Sequence, residues 1–294
     1  MHTDHLFILH GFLKITQHRQ HMTDLNHPKG LAIVTGASRG IGAEYARALG
    51  NRGYPLLLVG RDEERLQQVG ENISRDHRVA VTVKCLDLAQ AEAAHQLFVT
   101  AQQCNTHMAI LINNAGFGLY GTFTDMPMSR IRAMLQLHIT TVVESTRLFL
   151  PHMIERQSGA IINVASVAGF LPIPYMAEYA ATKAFLISFS ESLAEEVHTS
   201  GVTIQACCPG FTETEFHTTA GYRPRNPLRA QTAEAVVQAS LSGLDRKQRH
   251  VTIGWQGWVS DIFSRFLPRS MVVRIVGKQV KPRTPHTSSP SVST

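Results

Sequence analysis

The fold of this chain is decided by the stretch Thr35-Gly36-Ala37-Ser38-Arg39-Gly40-Ile41-Gly42, which directly follows the apolar run 31–34. Glycine lets a backbone turn sharply and approach a pyrophosphate, whose charge then lies at the N-terminus of the following helix. The spacing G-x-x-x-G-x-G differs from the G-x-G-x-x-G of the commoner dinucleotide fingerprint. By itself the stretch leaves two interpretations open, a dinucleotide site and a strand-to-helix turn that binds no ligand.

Outward from this stretch, short apolar runs alternate with amphipathic stretches. Strands are predicted over 31–35, 54–59, 79–86, 109–112, 159–165, 202–207 and 250–253, and helices over 40–50, 62–74, 90–104, 127–157, 176–199 and 231–243. Strands that are almost wholly apolar indicate a sheet covered on both faces. Regular strand–helix alternation implies right-handed crossovers. We therefore predict an α/β fold, a single doubly wound domain with a mostly parallel seven-stranded sheet, over residues 29–254.

The composition supports one globular domain with an extension at each end. Of 294 residues, 44% are hydrophobic and 17% are charged, which excludes a wholly disordered chain. Six of the fifteen histidines lie in residues 1–28. We expect a flexible extension there, or a true start at Met22, rather than a metal-binding tract. An amphipathic helical extension is predicted over 255–280, and a disordered tail over 281–294.

The excess of positive charge lies at the C-terminal end. Nine basic residues and one acidic residue lie from Arg246 onward, whereas residues 1–245 hold 19 basic and 21 acidic residues. The chain carries no motif that reads bases, so we expect no nucleic-acid partner. The favoured interpretation of segment 255–280 is docking on its own domain or within a homodimer or homotetramer. The alternative is peripheral contact with an anionic membrane.

Cysteine usage and hydropathy favour a cytoplasmic protein. The four cysteines form no C-x-x-C pair, as is typical of reduced thiols. No apolar run approaches the ~18–20 residues that a membrane span needs. The N-terminal stretch lacks a basic region and a small-residue cleavage site, so no signal peptide is predicted. Membrane association stays an alternative because of segment 255–280.

The residues after the second predicted strand indicate the type of nucleotide. Arg61 lies near the position where an acidic residue binds a ribose 2′-hydroxyl and a basic one suits a 2′-phosphate. Arg39 and Arg61 together favour NADP over NAD through charge-assisted pairing. Asp62 weakens this prediction, since a small rotation of the loop would present a carboxylate instead. The alternative is that Arg61 is a solvated residue at the start of a helix and binds no cofactor.

Four further motifs follow in order along the chain. Asn113-Asn114-Ala115-Gly116 follows a buried strand, Ser166 ends the next strand, Tyr179 and Lys183 form Y-x-x-x-K, and Pro209-Gly210 follows the sixth strand. Tyr179 and Lys183 share one helical face, four residues apart. With this ordered set, the chain resembles the short-chain dehydrogenase/reductase family over residues 29–254. The resemblance implies a Rossmann domain that binds a nicotinamide dinucleotide.

The resemblance also implies catalytic roles. Tyr179 would be the general acid that protonates a carbonyl oxygen, and Ser166 would donate a hydrogen bond to that oxygen. Lys183 would hold the nicotinamide ribose and lower the pKa of Tyr179. These roles agree with elementary chemistry, because a phenol with a pKa near 10 needs a nearby positive charge to act at neutral pH.

The remaining cofactor contacts are implied in the same way. Asp87 would contact the adenine, and Asn114 would lie along the cofactor, although a loop-capping role is equally favoured. The Pro209-Gly210 turn would pack on the nicotinamide side, and Thr212 and Thr214 are weaker candidates for the carboxamide. The predicted cofactor-binding residues are Gly36, Ser38, Arg39, Gly40, Ile41, Gly42, Arg61, Asp87, Asn114, Tyr179, Lys183, Pro209, Gly210 and Thr212. No metal site is predicted.

One position departs from the family pattern. Where the family places an Asn that completes a proton relay with the lysine, this chain has His138. His138 serves if the Asn acts through its backbone carbonyl, whereas the relay is in doubt if the Asn side chain holds a helix kink. We include His138 among the predicted catalytic residues, with a buried structural histidine as the alternative.

The predicted substrate side is apolar. Residues 169–176, Gly-Phe-Leu-Pro-Ile-Pro-Tyr-Met, lie between Ser166 and Tyr179, and such walls suit a lipophilic carbonyl substrate. Segment 211–229 has the length of a mobile lid. We predict an oxidoreductase that transfers a hydride between NADP(H) and a carbonyl or alcohol. The alternatives are a 3-oxoacyl-thioester reductase and a non-catalytic dinucleotide sensor or scaffold.

Overall fold

The structure, a computed structural model, describes residues 29–221, 230–254 and 268–282. Seven strands lie in this part of the chain, each within two residues of its predicted bounds. They are β1 (Leu31–Thr35), β2 (Leu56–Gly60), β3 (Val81–Cys85), β4 (Met108–Asn113), β5 (Gly159–Val164), β6 (Val202–Cys208) and β7 (His250–Thr252).

The α-helices of the described residues connect these strands and flank the sheet. They are α1 (Gly40–Asn51), α2 (Glu63–His77), α3 (Ala93–Gln103), α4 (Met128–Leu135), α5 (Thr141–Glu155), α6 (Ala177–Glu196), α7 (Phe216–Thr219), α8 (Ala233–Asp245) and α9 (Arg269–Val280). Short 3₁₀ turns lie at Phe123–Asp125 and Val167–Phe170. No helix among the described residues is long and apolar enough to cross a bilayer.

The strands form one sheet in the order β3-β2-β1-β4-β5-β6-β7. All six neighbouring pairs are parallel, so the sheet is more uniform than the mostly parallel one that we predicted. The order reverses between β1 and β4, which lie side by side although β2 and β3 follow β1 in sequence. Ligands of doubly wound folds bind at such a switch point, outside the carboxyl ends of the strands.

Both faces of the sheet are covered, as the apolar strands predicted. On one face, Val34 of β1 packs with Tyr45 of α1 and Val236 of α8. On the other face, Ile33 packs with Leu97 of α3 and Phe149 of α5, since successive side chains of a strand point to opposite faces. The two layers of helices hold the carboxyl ends of β1, β4 and β5 in fixed positions.

The edge strand β3 is an exception to the prediction of covered strands. Val81 and Val83 are partly buried, and Thr82, Lys84 and Cys85 are exposed. An edge strand has a neighbour on one side only, and a charged residue such as Lys84 protects its free edge from pairing with another chain.

The long helix predicted over 127–157 is interrupted. Helix α4 runs into a π-turn at Gln136–Thr140, after which α5 begins at Thr141. The Thr141 N–H donates to the Gln136 carbonyl, a bond of i to i−5 type. Such π-bulges are frequent at functional sites, and this one contains His138. The sequence predicted one continuous helix here because the turn, Gln-Leu-His-Ile-Thr, contains no glycine or proline to mark an interruption.

Of the predicted extensions, only part of the C-terminal one is described. Helix α9 lies within the amphipathic extension predicted over 255–280, and Lys281 and Pro282 follow it without regular structure. Predictions for residues 1–28, 255–267 and 283–294 lie outside the described residues.

Candidate active site

A cleft of about 530 Å³ opens at the carboxyl ends of the strands, beside the switch point between β1 and β4. This volume is within the range of about 300–1,000 Å³ typical of small-molecule sites. All fourteen predicted cofactor-binding residues line this cleft, together with Ser166. Of the predicted catalytic residues, His138 alone is absent from the lining.

The glycine stretch forms the wall at the start of α1. Gly36 and Gly40 have φ angles of +66° and +56°, in the left-handed region that favours glycine. A Cβ on Gly42 would lie 2.1 Å from the Gly36 carbonyl oxygen. The N-terminus of α1 has no side-chain cap and no acidic residue in its first turn. Its backbone N–H groups are therefore available to an anion, which fits the pyrophosphate of a dinucleotide.

Asn114 ties the loop after β4 to the glycine stretch. Its Nδ2 donates to the carbonyl oxygens of Thr35 and Gly36 at 2.8 and 3.3 Å. The Thr35 hydroxyl accepts from the N–H groups of Asn114 and Ala115 and donates to the Ile112 carbonyl. The loop-capping role that the sequence left open is thus present, and Asn114 lines the cleft as well.

Arginines gather at the end of the cleft where β2 meets α2. Arg39 and Arg61 both line it, as predicted. The Arg39 Nη1 donates to Glu215 Oε2 at 2.7 Å, and the Arg65 Nη1 donates to the same oxygen at 3.1 Å. Asp62 accepts the Arg65 N–H as the N-cap of α2 and pairs with its guanidinium at 3.3 Å. Hydrogen bonds from Arg65 and Arg39 hold the pKa of Glu215 below its ordinary value, so this carboxylate is charged.

Sequence reasoning missed Arg65 and Glu215. Arg65 is one turn into α2 and could have been found from its i, i+3 spacing to Asp62. Glu215 is 176 residues from Arg39, and no local pattern connects the two.

The rest of the predicted cofactor wall comes from the ends of β3 and β6. The Asp87 carboxylate accepts the Ala89 N–H at 3.1 Å, which fixes the turn after β3. The Pro209 carbonyl accepts the Val167 N–H at 3.0 Å and holds the turn after β6 against the turn after β5. The Thr212 hydroxyl donates to the Gly210 carbonyl and is buried.

Ser166, Tyr179 and Lys183 come together where β5 meets α6. Tyr179 and Lys183 are 7% and 5% exposed. The Lys183 Nζ donates to the Val164 carbonyl at 2.7 Å and lies 5.7 Å from the centre of the Tyr179 ring. Ser166 caps the 3₁₀ turn through a bond from the Ala168 N–H. Three side chains from two elements thus meet in one corner of the cleft.

Burial shifts the acidity of this corner. It raises the pKa of Tyr179 to about 12, and a hydrogen bond with Ser166 acts in the opposite direction. Burial also lowers the pKa of Lys183 to about 8. A phenol this weakly acidic needs added positive charge to exchange protons at neutral pH, and an oxidised nicotinamide ring is such a charge.

His138 lies behind this corner. Its ring is 1% exposed, and its Nε2 accepts the Phe117 N–H at 3.1 Å. Since a neutral imidazole has one donor and one acceptor, Nδ1 carries the proton and donates to Thr182 Oγ1 at 3.0 Å. Burial, with a smaller contribution from Lys183, holds the pKa of His138 well below its ordinary value. Both ring nitrogens are occupied, so the geometry favours a buried structural histidine over a proton donor.

The far end of the cleft has an apolar wall. It is formed by Phe117, Ile173, Met176, Phe216 and Val280. The Phe216 ring lies 5.5 Å from that of Tyr179. Ile173 and Met176 belong to the apolar loop that we predicted beside the carbonyl. Val280 is the last residue of α9, and its carbonyl accepts a hydrogen bond from the Tyr120 hydroxyl at 2.5 Å.

Arg130 adds a positive charge to this wall. Its guanidinium lies 4.8 Å from the centre of the Phe117 ring, and it lines the cleft. No ion pair to Arg130 occurs within the described ranges of the chain. Sequence reasoning missed Phe117, Arg130 and Val280, because none of them belongs to a motif and they come from three separate segments.

The predicted lid is anchored at its base. Thr212 pairs with Gln231, and backbone bonds join Glu213 and Phe211 to the same residue. Helix α7 of this segment contributes Phe216 to the apolar wall. Residues 222–229, which include Tyr222, Arg223, Arg225 and Arg229, lie outside the described residues.

The chain matches the protein-family model described as short chain dehydrogenase over residues 30–223. It is 32% identical over 235 residues to the very-long-chain 3-oxoacyl-CoA reductase-B of Danio rerio, a match that covers 76% of this chain and 73% of that protein. It is also 32% identical over 210 residues to an uncharacterized oxidoreductase of Staphylococcus saprophyticus, covering 71% of this chain and 90% of the relative.

Solved structures of similar proteins have the same fold. A short-chain dehydrogenase from Sphingobium yanoikuyae in complex with NADPH superposes with a TM-score of 0.73 at 31% identity, over 80% of this chain and 93% of the other. A bulky-bulky ketone specific alcohol dehydrogenase from Comamonas testosteroni superposes with a TM-score of 0.71 at 28% identity, over 81% and 93% of the two chains.

Proposed function

Since the chain belongs to the short-chain dehydrogenase family, we propose that this NADP-dependent oxidoreductase reduces hydrophobic ketones with Tyr179 as the proton donor. The observation that carries the proposal is the apolar wall that meets Tyr179, Ser166 and Lys183 in one cleft. Such a wall strips water from a lipophilic substrate and binds it by burial of apolar surface.

The residues divide the work as follows. NADPH held in this cleft would supply the hydride for the reduction. The Ser166 hydroxyl donates a hydrogen bond to the substrate oxygen and orients it, and the Tyr179 hydroxyl donates the proton that this oxygen takes up. The Lys183 ammonium stabilises the tyrosinate that results, and the Val164 carbonyl holds that ammonium in place.

The cofactor end is selective for a 2′-phosphate in this proposal. Arg39 and Arg61 line it, and the Asp62 carboxylate is engaged with Arg65 rather than turned toward a ribose. The NADPH complex of the Sphingobium yanoikuyae relative supports the same choice. Arg61 and Arg39 would each pair with phosphate oxygens through charge-assisted hydrogen bonds.

A 3-oxoacyl thioester is the substrate class that we favour among hydrophobic ketones. Its acyl chain suits the apolar wall, and its carrier bears phosphate groups, which suit the positive charge of Arg130 beside Phe117. The names of the Danio rerio relatives support this class. The family relation and Arg130 thus point the same way.

A ketone series tests the proposed function. The purified protein is assayed with NADPH and methyl ketones of increasing chain length, with a keto sugar as the control. We expect kcat/KM to rise roughly fourfold per added methylene until the wall is filled, because each buried methylene contributes about 0.8 kcal/mol. A preference for the sugar would contradict the proposal.

Contact with an anionic membrane stays part of the proposal. Helix α9 buries Val272 and exposes Met271 and Ile275 beside the exposed Arg274. Apolar and basic residues on one exposed helix face are typical of interfacial helices. We expect Ile275→Ser to sediment less with anionic liposomes than the wild type. Ile154→Ser, a control at an exposed isoleucine of α5, should sediment like the wild type. Equal sedimentation of all three proteins would contradict the membrane proposal.

The homodimer or homotetramer stays a prediction, and light scattering of the purified protein tests it.

A further inference from the structure

We propose that Glu215 is a cofactor-specificity residue, whose carboxylate competes with the 2′-phosphate of NADPH for the guanidiniums of Arg39 and Arg65. The inference rests on the proposed cofactor end of the cleft and not on the proposed substrate. Glu215 would weaken NADPH binding while it leaves NADH binding nearly unchanged.

The geometry of Glu215 is that of an anion in a basic site. One carboxylate oxygen, Oε2, accepts from Arg39 Nη1 at 2.7 Å and from Arg65 Nη1 at 3.1 Å, and Oε1 lies 3.3 Å from the same Arg65 nitrogen. Two guanidiniums from different elements therefore share one carboxylate. Arginine forks of this kind bind phosphate as readily as carboxylate.

The position of Glu215 makes this pairing more than a surface contact. Arg39 belongs to the glycine stretch, and both Arg39 and Glu215 line the cleft. Arg61, the other arginine predicted for the 2′-phosphate, also lines it and has no ion pair within the described part of the chain. A ligand phosphate that binds between Arg39 and Arg61 therefore has to displace Glu215 or share its partners.

The competition is specific to the 2′-phosphate. A phosphate monoester carries about −1.5 to −2 charges at neutral pH, and it competes with a carboxylate for the same donors. The ribose 2′-hydroxyl of NADH is neutral and gains little from the guanidiniums, so it does not need them freed. Removal of the Glu215 charge should thus increase the difference in binding affinity between NADPH and NADH.

Glu215 also joins the two ends of the cleft. Phe216 follows it directly, starts α7 and lies 5.5 Å from the Tyr179 ring. The side chains of Glu215 and Arg39 are 56% and 46% exposed, so their pair can break without disturbing the core. When a 2′-phosphate displaces Glu215, the segment that carries Phe216 loses one of its ties to the nucleotide end.

The test measures binding rather than turnover. Wild type, Glu215→Gln and the control Glu213→Gln are titrated with NADPH and NADH, and with adenosine 2′,5′-bisphosphate and AMP, which differ only in the 2′-phosphate. Glu213 is exposed on the same segment, and its substitution removes the same charge. Thermal unfolding of all three proteins shows whether each variant is folded.

We expect Glu215→Gln to lower the Kd of NADPH and of the bisphosphate about tenfold at low salt, a difference of about 1.4 kcal/mol. The Kd of NADH and of AMP should change less than twofold, and Glu213→Gln should behave like the wild type. The effect should shrink in 0.5 M salt, since these groups are exposed.

Two results would overturn the inference. Weaker or unchanged NADPH binding by Glu215→Gln would show that Glu215 orients Arg39 or is neutral toward the phosphate. An equal gain in affinity for NADPH and NADH, or for the bisphosphate and AMP, would show a general charge effect that is not specific to the 2′-phosphate. If the wild type itself does not distinguish the bisphosphate from AMP, the proposed 2′-phosphate site is wrong as well. This wild-type measurement therefore distinguishes a failure of the proposed site from a failure of the Glu215 inference alone.

Discussion

The ammonium of Lys183 lies 5.7 Å from the centre of the Tyr179 ring, one helical turn along α6. Both side chains are buried, and the lysine is fixed by the Val164 carbonyl. A positive charge so placed stabilises a tyrosinate, but its own burial is costly. This pair therefore affects both the proposed chemistry and the stability of the fold.

The buried lysine predicts a pH dependence of stability. Burial lowers the pKa of Lys183 from 10.5 to about 8, so between these values the unfolded chain binds more protons than the folded one. Stability due to this group therefore rises with pH across that window, and its full cost is present below pH 8. We expect the free energy of unfolding of the wild type to increase relative to that of Lys183→Met as the pH rises from 7 to 10. Urea unfolding of both proteins measures the difference, in which groups common to the two cancel. A constant difference would contradict the shifted pKa.

The position of His138 predicts a variant that loses stability more than activity. In His138→Ala, the Phe117 N–H loses its acceptor and a cavity replaces the ring, at a cost of roughly 2–5 kcal/mol. Since the ring does not line the cleft, we expect turnover of the folded variant to fall less than tenfold and the Kd of NADPH to stay unchanged.

His138→Gln, which retains an acceptor, serves as the conservative control and should recover part of the stability. A loss of more than a hundredfold in kcat with intact NADPH binding would instead place His138 in proton transfer. The two outcomes distinguish the structural from the catalytic interpretation of this residue.

The positive charge of Arg130 beside Phe117 predicts a substrate-specific effect. We expect Arg130→Gln to raise the KM for a 3-oxoacyl-CoA thioester about tenfold, because a charge-assisted contact with the carrier is lost. The KM for a neutral ketone should change less than twofold. Arg132→Gln is the matched control, since Arg132 is an exposed arginine of α4 outside the cleft lining. An equal rise in KM for the thioester and the neutral ketone would exclude a contact between Arg130 and the carrier.

Cofactor choice yields a further prediction. Arg61→Asp places a carboxylate where a 2′-phosphate would bind, so the NADPH Kd should rise at least tenfold and the gap to NADH should narrow. Fluorescence titration with both cofactors measures this. An unchanged preference would contradict the assignment of Arg61 to the 2′-phosphate.

The backbone of this fold could be predicted from the sequence because its signals are local. Glycine is the residue that adopts the left-handed conformation of Gly36 at no steric cost, and α6 places Tyr179 and Lys183 on one face by its own geometry. Seven apolar runs separated by amphipathic stretches predicted each strand of the described sheet. Their parallel pairing follows from the helical crossovers that connect successive strands.

What the sequence could not predict depends on contacts between distant segments. Glu215 meets Arg39 across 176 residues, and Val280 reaches the cleft through the docking of α9. The π-turn around His138 contains no helix-breaking residue that would mark it in the sequence. These features belong to packing, which a motif does not contain.

The most direct test of the account is a pair of measurements on Tyr179→Phe, with Tyr175→Phe as the control from the neighbouring loop. Both variants are titrated with NADPH by fluorescence and assayed with the best ketone of the series. We predict that Tyr179→Phe binds NADPH as tightly as the wild type and loses about 10²–10⁴-fold in kcat, the usual contribution of a general acid. Tyr175→Phe should keep both properties. Full turnover by Tyr179→Phe would contradict the proposed chemistry.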